Sequence, residues 1–282
     1  MPEVELSAGT IEYDDTGGSG PVVVLLHGLL MDGSLWRHVV ADLRSDYRCV
    51  VPTMPLGAHR RPMRPEADLS MRGQVRLVAE FLEHLDLRDV TLVGNDWGGP
   101  LLLISEGRAE RVARLVICSC EAFDNYPPGL PGHAIWLAAK LPGGINAALA
   151  PLRLRVFRRL PLTFGWMSKR PVPDDVMDAW LRPALTQGAV RRDLRKYAGS
   201  VRKSEFVEST EGLRAFDRPA LVVWATEDRV MPPAHGRRLA ELLPRAQLVE
   251  ITDSYTLIPE DQPAKLAAHI REFLSKEPVT AA

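Results

Sequence analysis

Six residues, Gly94-Asn95-Asp96-Trp97-Gly98-Gly99, follow the apolar run Val90-Thr91-Leu92-Val93 and precede a helical stretch at 100–106. A chain that passes from strand to helix so abruptly has no room for side chains flanking the turn, which accounts for the glycines. The central residue is pushed out above the sheet edge, beside a helix N-terminus that favours a carboxylate. Asp96 is therefore presented rather than packed. A turn of this kind belongs to a parallel sheet with helices on its faces, and the remaining pattern agrees. The run Val22-Val23-Val24-Leu25-Leu26 is unbroken and β-branched, as suits a strand covered on both sides. Further strands are expected at 47–52, 112–120, 219–225 and 247–252. Amphipathic helices are expected at 34–44, 70–86, 237–243 and 263–274, where apolar residues recur at steps of three and four. Two short alternating segments, near 4–6 and 10–14, open the chain, and Val279-Thr280-Ala281-Ala282 reads as a frayed tail.

The rhythm breaks between residues 123 and 216, a stretch rich in Pro, Gly, Arg and Trp with helical patches and no strand pattern. It reads as a helical cap inserted into a body formed by 1–122 and 217–282, covering the carboxyl ends of the strands where open α/β sheets bind ligands. Over the 282 residues, 35 Lys plus Arg nearly balance 36 Asp plus Glu, so no basic excess suits a nucleic acid. The charge is uneven: residues 124–216 carry 15 basic against 8 acidic side chains, a basic cap on an acidic body. Three cysteines do not make a disulfide framework, and no signal-peptide pattern or spanning apolar run occurs, so a cytoplasmic protein without a membrane partner is expected. The strip 152–160, with Arg153, Arg155, Arg158 and Arg159, reads as a solvated cap face, a membrane or anionic-ligand contact being the alternative. Cys118 and Cys120 lack a second ligand pair for zinc, no phosphate loop occurs, and no cofactor or metal is expected. The oligomeric state is left open.

Several fragments in order give a resemblance: His27-Gly28 after the third strand, Asp96 at the elbow, the helical cap, Thr226-Glu227-Asp228 after a strand, and Glu260-Asp261-Gln262-Pro263 before the last helix. The sequence resembles the α/β-hydrolase superfamily, and within it the aspartate-nucleophile branch of haloalkane dehalogenases and epoxide hydrolases. The resemblance implies an α/β-hydrolase fold, mostly parallel, and a small or medium apolar substrate (haloalkane, epoxide or ester-like). It also implies that Asp96 attacks carbon to form an ester that a histidine-activated water hydrolyses. Asp228 matches the supporting acid, with Glu121 and Asp124 as alternatives. The backbone amides of Leu29 and Trp97 match the oxyanion donors, beside His27 and Gly28.

The departure is at the histidine. The matching position holds Thr256, preceded by Tyr255, and no histidine lies between His235 and His269. Thr is no base near neutral pH, and a Tyr of ordinary pKa, about 10, is protonated there. Three readings follow: hydrolysis through a carboxylate such as Asp228, a lyase, isomerase or cyclase using Asp96 and Tyr255, or a silent binding scaffold. Of the other histidines, His27 reads as structural, His38, His59, His84, His235 and His269 as surface residues, and His133 as a distant cap candidate. A halide would need N–H donors, for which Trp97 and the cap residues Trp136, Trp166 and Trp180 are available. An epoxide would need two cap tyrosines, and Tyr126 and Tyr197 answer to that.

Overall fold

The structure, a computed structural model, describes residues 1–276, so the expected tail lies outside the described residues. The strands β1 (Glu3–Leu6), β2 (Gly9–Asp15), β3 (Val22–Leu26), β4 (Arg48–Pro52), β5 (Val90–Asp96), β6 (Val112–Cys120), β7 (Ala220–Ala225) and β8 (Ala246–Ile251) form one sheet in the order β1-β2-β4-β3-β5-β6-β7-β8. Only the β1–β2 and β2–β4 pairings are antiparallel. Every residue of β5 is buried, because helices cover both faces; β8, at the edge, exposes Gln247, Leu248 and Glu250. The strand expected over 90–93 runs on to Asp96 because the backbone keeps pairing with β6, Asn95 opposite Cys118 and Asp96 opposite Cys120.

The body helices are α1 (Arg37–Leu43), α2 (Met71–His84) and α3 (Gly99–Ser105), with α9 (Pro233–Leu242), α10 (Ile258–Asp261) and α11 (Pro263–Lys276) after β7. Ser70 caps α2 by accepting from Gly73 N at 3.1 Å, and Val75, Val78, Phe81 and Leu82 form its buried stripe. Between β6 and β7 lie α4 (Gly129–Lys140), α5 (Gly144–Leu149), α6 (Asp174–Thr186), α7 (Gly188–Ser200) and α8 (Lys203–Leu213), with short 3₁₀ turns over 150–166. The stretch 123–216 expected as the cap includes α8. Helix α8 packs on α3, where a Cβ at Gly212 would lie 2.7 Å from Ser105 Cα. Arg72 of α2 also faces Glu205 of α8 at 3.8 Å. Within that stretch α8 is thus in contact with the body helices α2 and α3. Among the described residues no helix is long and apolar enough to cross a membrane.

Two buried carboxylates tie the cap down. Asp193 of α7 accepts from Met63 N at 2.8 Å and from Arg192 Nη2 at 2.7 Å, and meets His59 Nε2 at 3.2 Å. His59 is thus buried, contrary to the surface position expected, because its loop is folded in under α7. Asp261 accepts from Lys169 N, Arg170 N and Tyr255 N at 2.8–2.9 Å, joining the cap's 168–170 segment to the loop before α10. Replacing Asp193 by Ala leaves Arg192 and Met63 N–H without their buried acceptor. A loss of about 3–5 kcal/mol in urea unfolding is expected, and a loss under about 1 kcal/mol would mean the tie is solvated.

Candidate active site

Asp96 is the central residue of a γ-turn: its φ is 67°, and Trp97 N donates to Asn95 O at 2.8 Å. This strained turn aims the carboxylate back across the sheet end toward the loop after β3. There Leu29 N donates to Asp96 Oδ2 at 3.1 Å. Only glycine fits beside it, since a Cβ on Gly28 would stand 1.9 Å from Asp96 Oδ2. Of the two expected oxyanion amides, that of Leu29 faces the carboxylate, whereas that of Trp97 is engaged within the turn. The Trp97 indole differs from expectation too. Its Nε1 points to Met71 Sδ at 3.2 Å, and it also approaches the Tyr197 hydroxyl, so it is no free donor for a halide.

Two more carboxyl groups share this end of the sheet. Glu121, just past β6, accepts from Gly98 N at 3.3 Å and lines the same cleft as Asp96. Asp228, after β7, takes three bonds on one oxygen: Val230 N at 2.9 Å, Met231 N at 2.8 Å and Thr256 Oγ1 at 2.7 Å. Its Oδ2 is shut off from solvent, with the Ser119 hydroxyl as a further group that favours the Asp228 charge, although the residue as a whole is only partly buried. Burial pushes Asp96 up to about 7, against the Leu29 N–H and helped by the charge of Asp228. Burial raises Asp228 to about 6, with the hydrogen bonds opposing it. Glu121 lies well above the usual carboxylate range, through burial and then the nearby Asp96. The helix terminus expected to favour an anion at Asp96 is therefore outweighed by desolvation.

Thr256, the residue expected to stand in for the histidine, is fully buried, with its hydroxyl donating to Asp228 and its carbonyl accepting from Asn95 Nδ2 at 2.8 Å. Tyr255 does not line the cleft. Its ring lies under Arg229 at 4.7 Å, with Lys169 at 5.9 Å, so the acid/base part expected for it has no geometry to support it. Asp124 is exposed, 3.7 Å from both Lys203 and His235, and drops out as a supporting acid. His27 is structural: Nε2 accepts from Met54 N at 2.9 Å, and Nδ1 lies 2.8 Å from Gly28 O. His133 is exposed and bonds its own helix through Gly129 O, while His235 packs edge-on against Phe123. Among the described residues no imidazole lines the cleft.

The cleft above Asp96 holds about 860 Å³ of empty space, its open mouth included. Leu29, Ile135, Leu152, Met167 and Val230 give it an apolar wall, and Tyr126, Tyr197 and Glu121 supply its polar atoms beside Asp96. Tyr126 stacks on Phe206 of α8 with ring centroids 5.6 Å apart. Of the cap tryptophans, Trp136 lines the cleft, Trp180 Nε1 donates to Ser34 Oγ at 2.8 Å and Trp166 packs at the core's margin. The cleft-lining place of Glu121 beside a capped helix had one sequence signal, its position at the end of the strand next to the elbow strand.

Residues 21–263 match the family model described as the alpha/beta hydrolase fold. A cis-3-alkyl-4-alkyloxetan-2-one decarboxylase of Xanthomonas campestris is 29% identical, over 95% of this chain and 93% of that protein. Haloalkane dehalogenase 2 of Mycobacterium tuberculosis is 27% identical, over 94% of this chain and 92% of that protein. Among solved structures, haloalkane dehalogenase DbeA from Bradyrhizobium elkani superposes with a TM-score of 0.79 at 19% identity, covering 99% of this chain and 98% of that one. Sheet order, elbow and family match agree: the chain belongs to the α/β hydrolase fold family and is an enzyme of the hydrolase type, akin in sequence to haloalkane dehalogenases.

Proposed function

We propose that Asp96 is a nucleophile toward carbon and that the substrate is an apolar molecule with an oxygen leaving group, an epoxide or another strained oxygen ring. One observation carries this reading. The polar groups that line the cleft with Asp96 are the Tyr126 and Tyr197 hydroxyls and Glu121, whose carboxyl burial pushes well above its usual range, while the Trp97 indole is engaged by Met71 and Tyr197. Attack by the carboxylate forms an ester and breaks the ring C–O bond, and the departing oxygen takes a proton from one of these hydroxyls. The backbone N–H of Leu29 holds Asp96 in line. Water must then cleave the ester; Asp228, the expected supporting acid, lies off the cleft behind the Thr256 hydroxyl, so this second step is expected to be slow. The decarboxylase relative, whose name gives an oxetan-2-one as its substrate, supports a strained oxygen ring. The three cysteines are buried and free, which suits a reducing cytoplasm.

Thr256 favours a second, non-hydrolytic reading. Loss of carbon dioxide from an oxetan-2-one breaks two ring bonds, leaves an alkene and consumes no water, so it needs no histidine. Intact-protein mass after incubation with an alkyl epoxide, a haloalkane and a β-lactone separates these outcomes. A stable adduct with the epoxide, forming faster as pH rises through about 7, is expected of Asp96. Alkene release from the lactone with no adduct would favour the second reading, and an adduct with the haloalkane alone would sink the oxygen-ring assignment. Thr256→His should speed release of the epoxide ester by about 10²–10⁴-fold, the usual range for a positioned base. An unchanged adduct lifetime would mean that position 256 is out of line with the ester.

A further inference from the structure

Eleven large apolar side chains are exposed among the described residues, and eight of them fall within 130–162: Leu130, Leu137, Leu141, Leu154, Val156, Phe157, Leu160 and Leu162. The same stretch holds Lys140, Arg153, Arg155, Arg158 and Arg159 and not one Asp or Glu. Leu154 and Val156 are 60% and 69% exposed, on the 3₁₀ turns where no second layer of chain covers them. Arg155 and Arg158 are paired, with Asp174 at 3.0 Å and Asp178 at 2.6 Å. Lys140 and Arg153 bond only backbone carbonyls, Gly199 O at 2.8 Å and Leu185 O at 3.2 Å, and so keep their full charge toward solvent. Arg159 is exposed beside Leu160.

Scattered surface leucines need no explanation, but a concentrated apolar face does when it is interleaved with cations and the carboxylates it pairs with, Asp174 and Asp178, are taken up by Arg155 and Arg158. We propose that this cap face docks on an anionic lipid surface, from which an apolar substrate reaches the cleft. A bilayer interface supplies what the face lacks, an apolar layer for the leucines under a negative headgroup layer for the cations. The face is continuous with the cleft, since Pro131, Ile135, Trp136, Leu152 and Leu162 of the same stretch line it. The solvated face expected for the 152–160 strip therefore becomes a peripheral contact. The apolar substrate class comes from the proposed function; the docking itself rests on the cap alone.

Co-sedimentation with vesicles tests it, using phosphatidylcholine alone and phosphatidylcholine mixed with phosphatidylglycerol. The whole chain is expected to partition onto the mixed vesicles and to be released by high salt. Leu154→Glu with Val156→Glu should lower that partitioning at least about tenfold, and Arg159→Glu about fivefold, on the mixed vesicles only. Far-ultraviolet circular dichroism confirms that both variants fold. Asp96→Asn should sediment like the unaltered chain, so failure of the proposed chemistry would leave the docking intact. Equal partitioning onto both vesicle types, unaltered binding by the double variant, or no binding together with self-association that the double variant abolishes would each overturn the proposal. In the last case the face would be an interface between copies.

Discussion

Asp96→Asn is expected to lower the rate of adduct formation with an alkyl epoxide by roughly 10⁴-fold or more, as removal of a nucleophile generally does. The amide can still accept from Leu29 N but cannot attack carbon at a useful rate. The same change is expected to stabilise the fold at alkaline pH. Asp96 titrates at about 7 in the folded chain and at about 3.9 when unfolded, so between those values the native state binds more protons and stability falls as pH rises. Above about pH 8 the full penalty of the buried charge is present, and the uncharged amide removes it. Thermal melts should therefore show the variant above the parent by several degrees at pH 8 and close to it at pH 4. A variant that melts lower at pH 8 would mean that the carboxylate is held by favourable contacts, and a variant that still forms the adduct would put the nucleophile elsewhere.

Gly28→Ala is expected to disable the site by about 10²–10³-fold while leaving the chain folded. The added Cβ would sit 1.9 Å from Asp96 Oδ2 and 2.5 Å from Asp96 Cβ. Rotating the carboxylate relieves the first clash but not the second, because the Asp96 Cβ is fixed by the γ-turn. The loop after β3 must therefore retreat, taking the Leu29 N–H with it. Adduct kinetics by mass spectrometry and a melt on the same sample separate misplacement from unfolding. A rate within about threefold of the parent would show that the loop is soft enough to absorb a methyl group, so that the Leu29 contact does not set reactivity.

The sheet was legible because covered strands write themselves as unbroken apolar runs. Val112–Cys120 appears with the bounds expected, and β3 likewise. Asp96 was legible because the steric demand of the elbow is local to six residues. What escaped was what local pattern does not encode. The Trp97 indole follows the γ-turn and the position of Met71, 26 residues earlier in the chain. Tyr255 and Thr256 are neighbours, yet one faces Arg229 outside and the other Asp228 inside, a choice made by the loop that Asp261 holds. Helix α8 does not show in its own sequence that it packs on α3. The buried His59 was misread for the same reason, since its acceptor lies 134 residues away.

The two buried carboxylates beneath the cap bear on how anything enters. Asp193 fastens α7 to the loop around Met63, and Asp261 fastens the 168–170 segment to the loop that carries Thr256. A cap pinned at both places does not swing away as a rigid flap, because either pin would have to expose a buried carboxylate. The span between residue 129 and residue 166 carries neither pin, and it is the span with the exposed leucines. Entry through the open mouth of the cleft thus needs no lifting of the cap, and the unpinned span that lines it is the one that would touch the lipid.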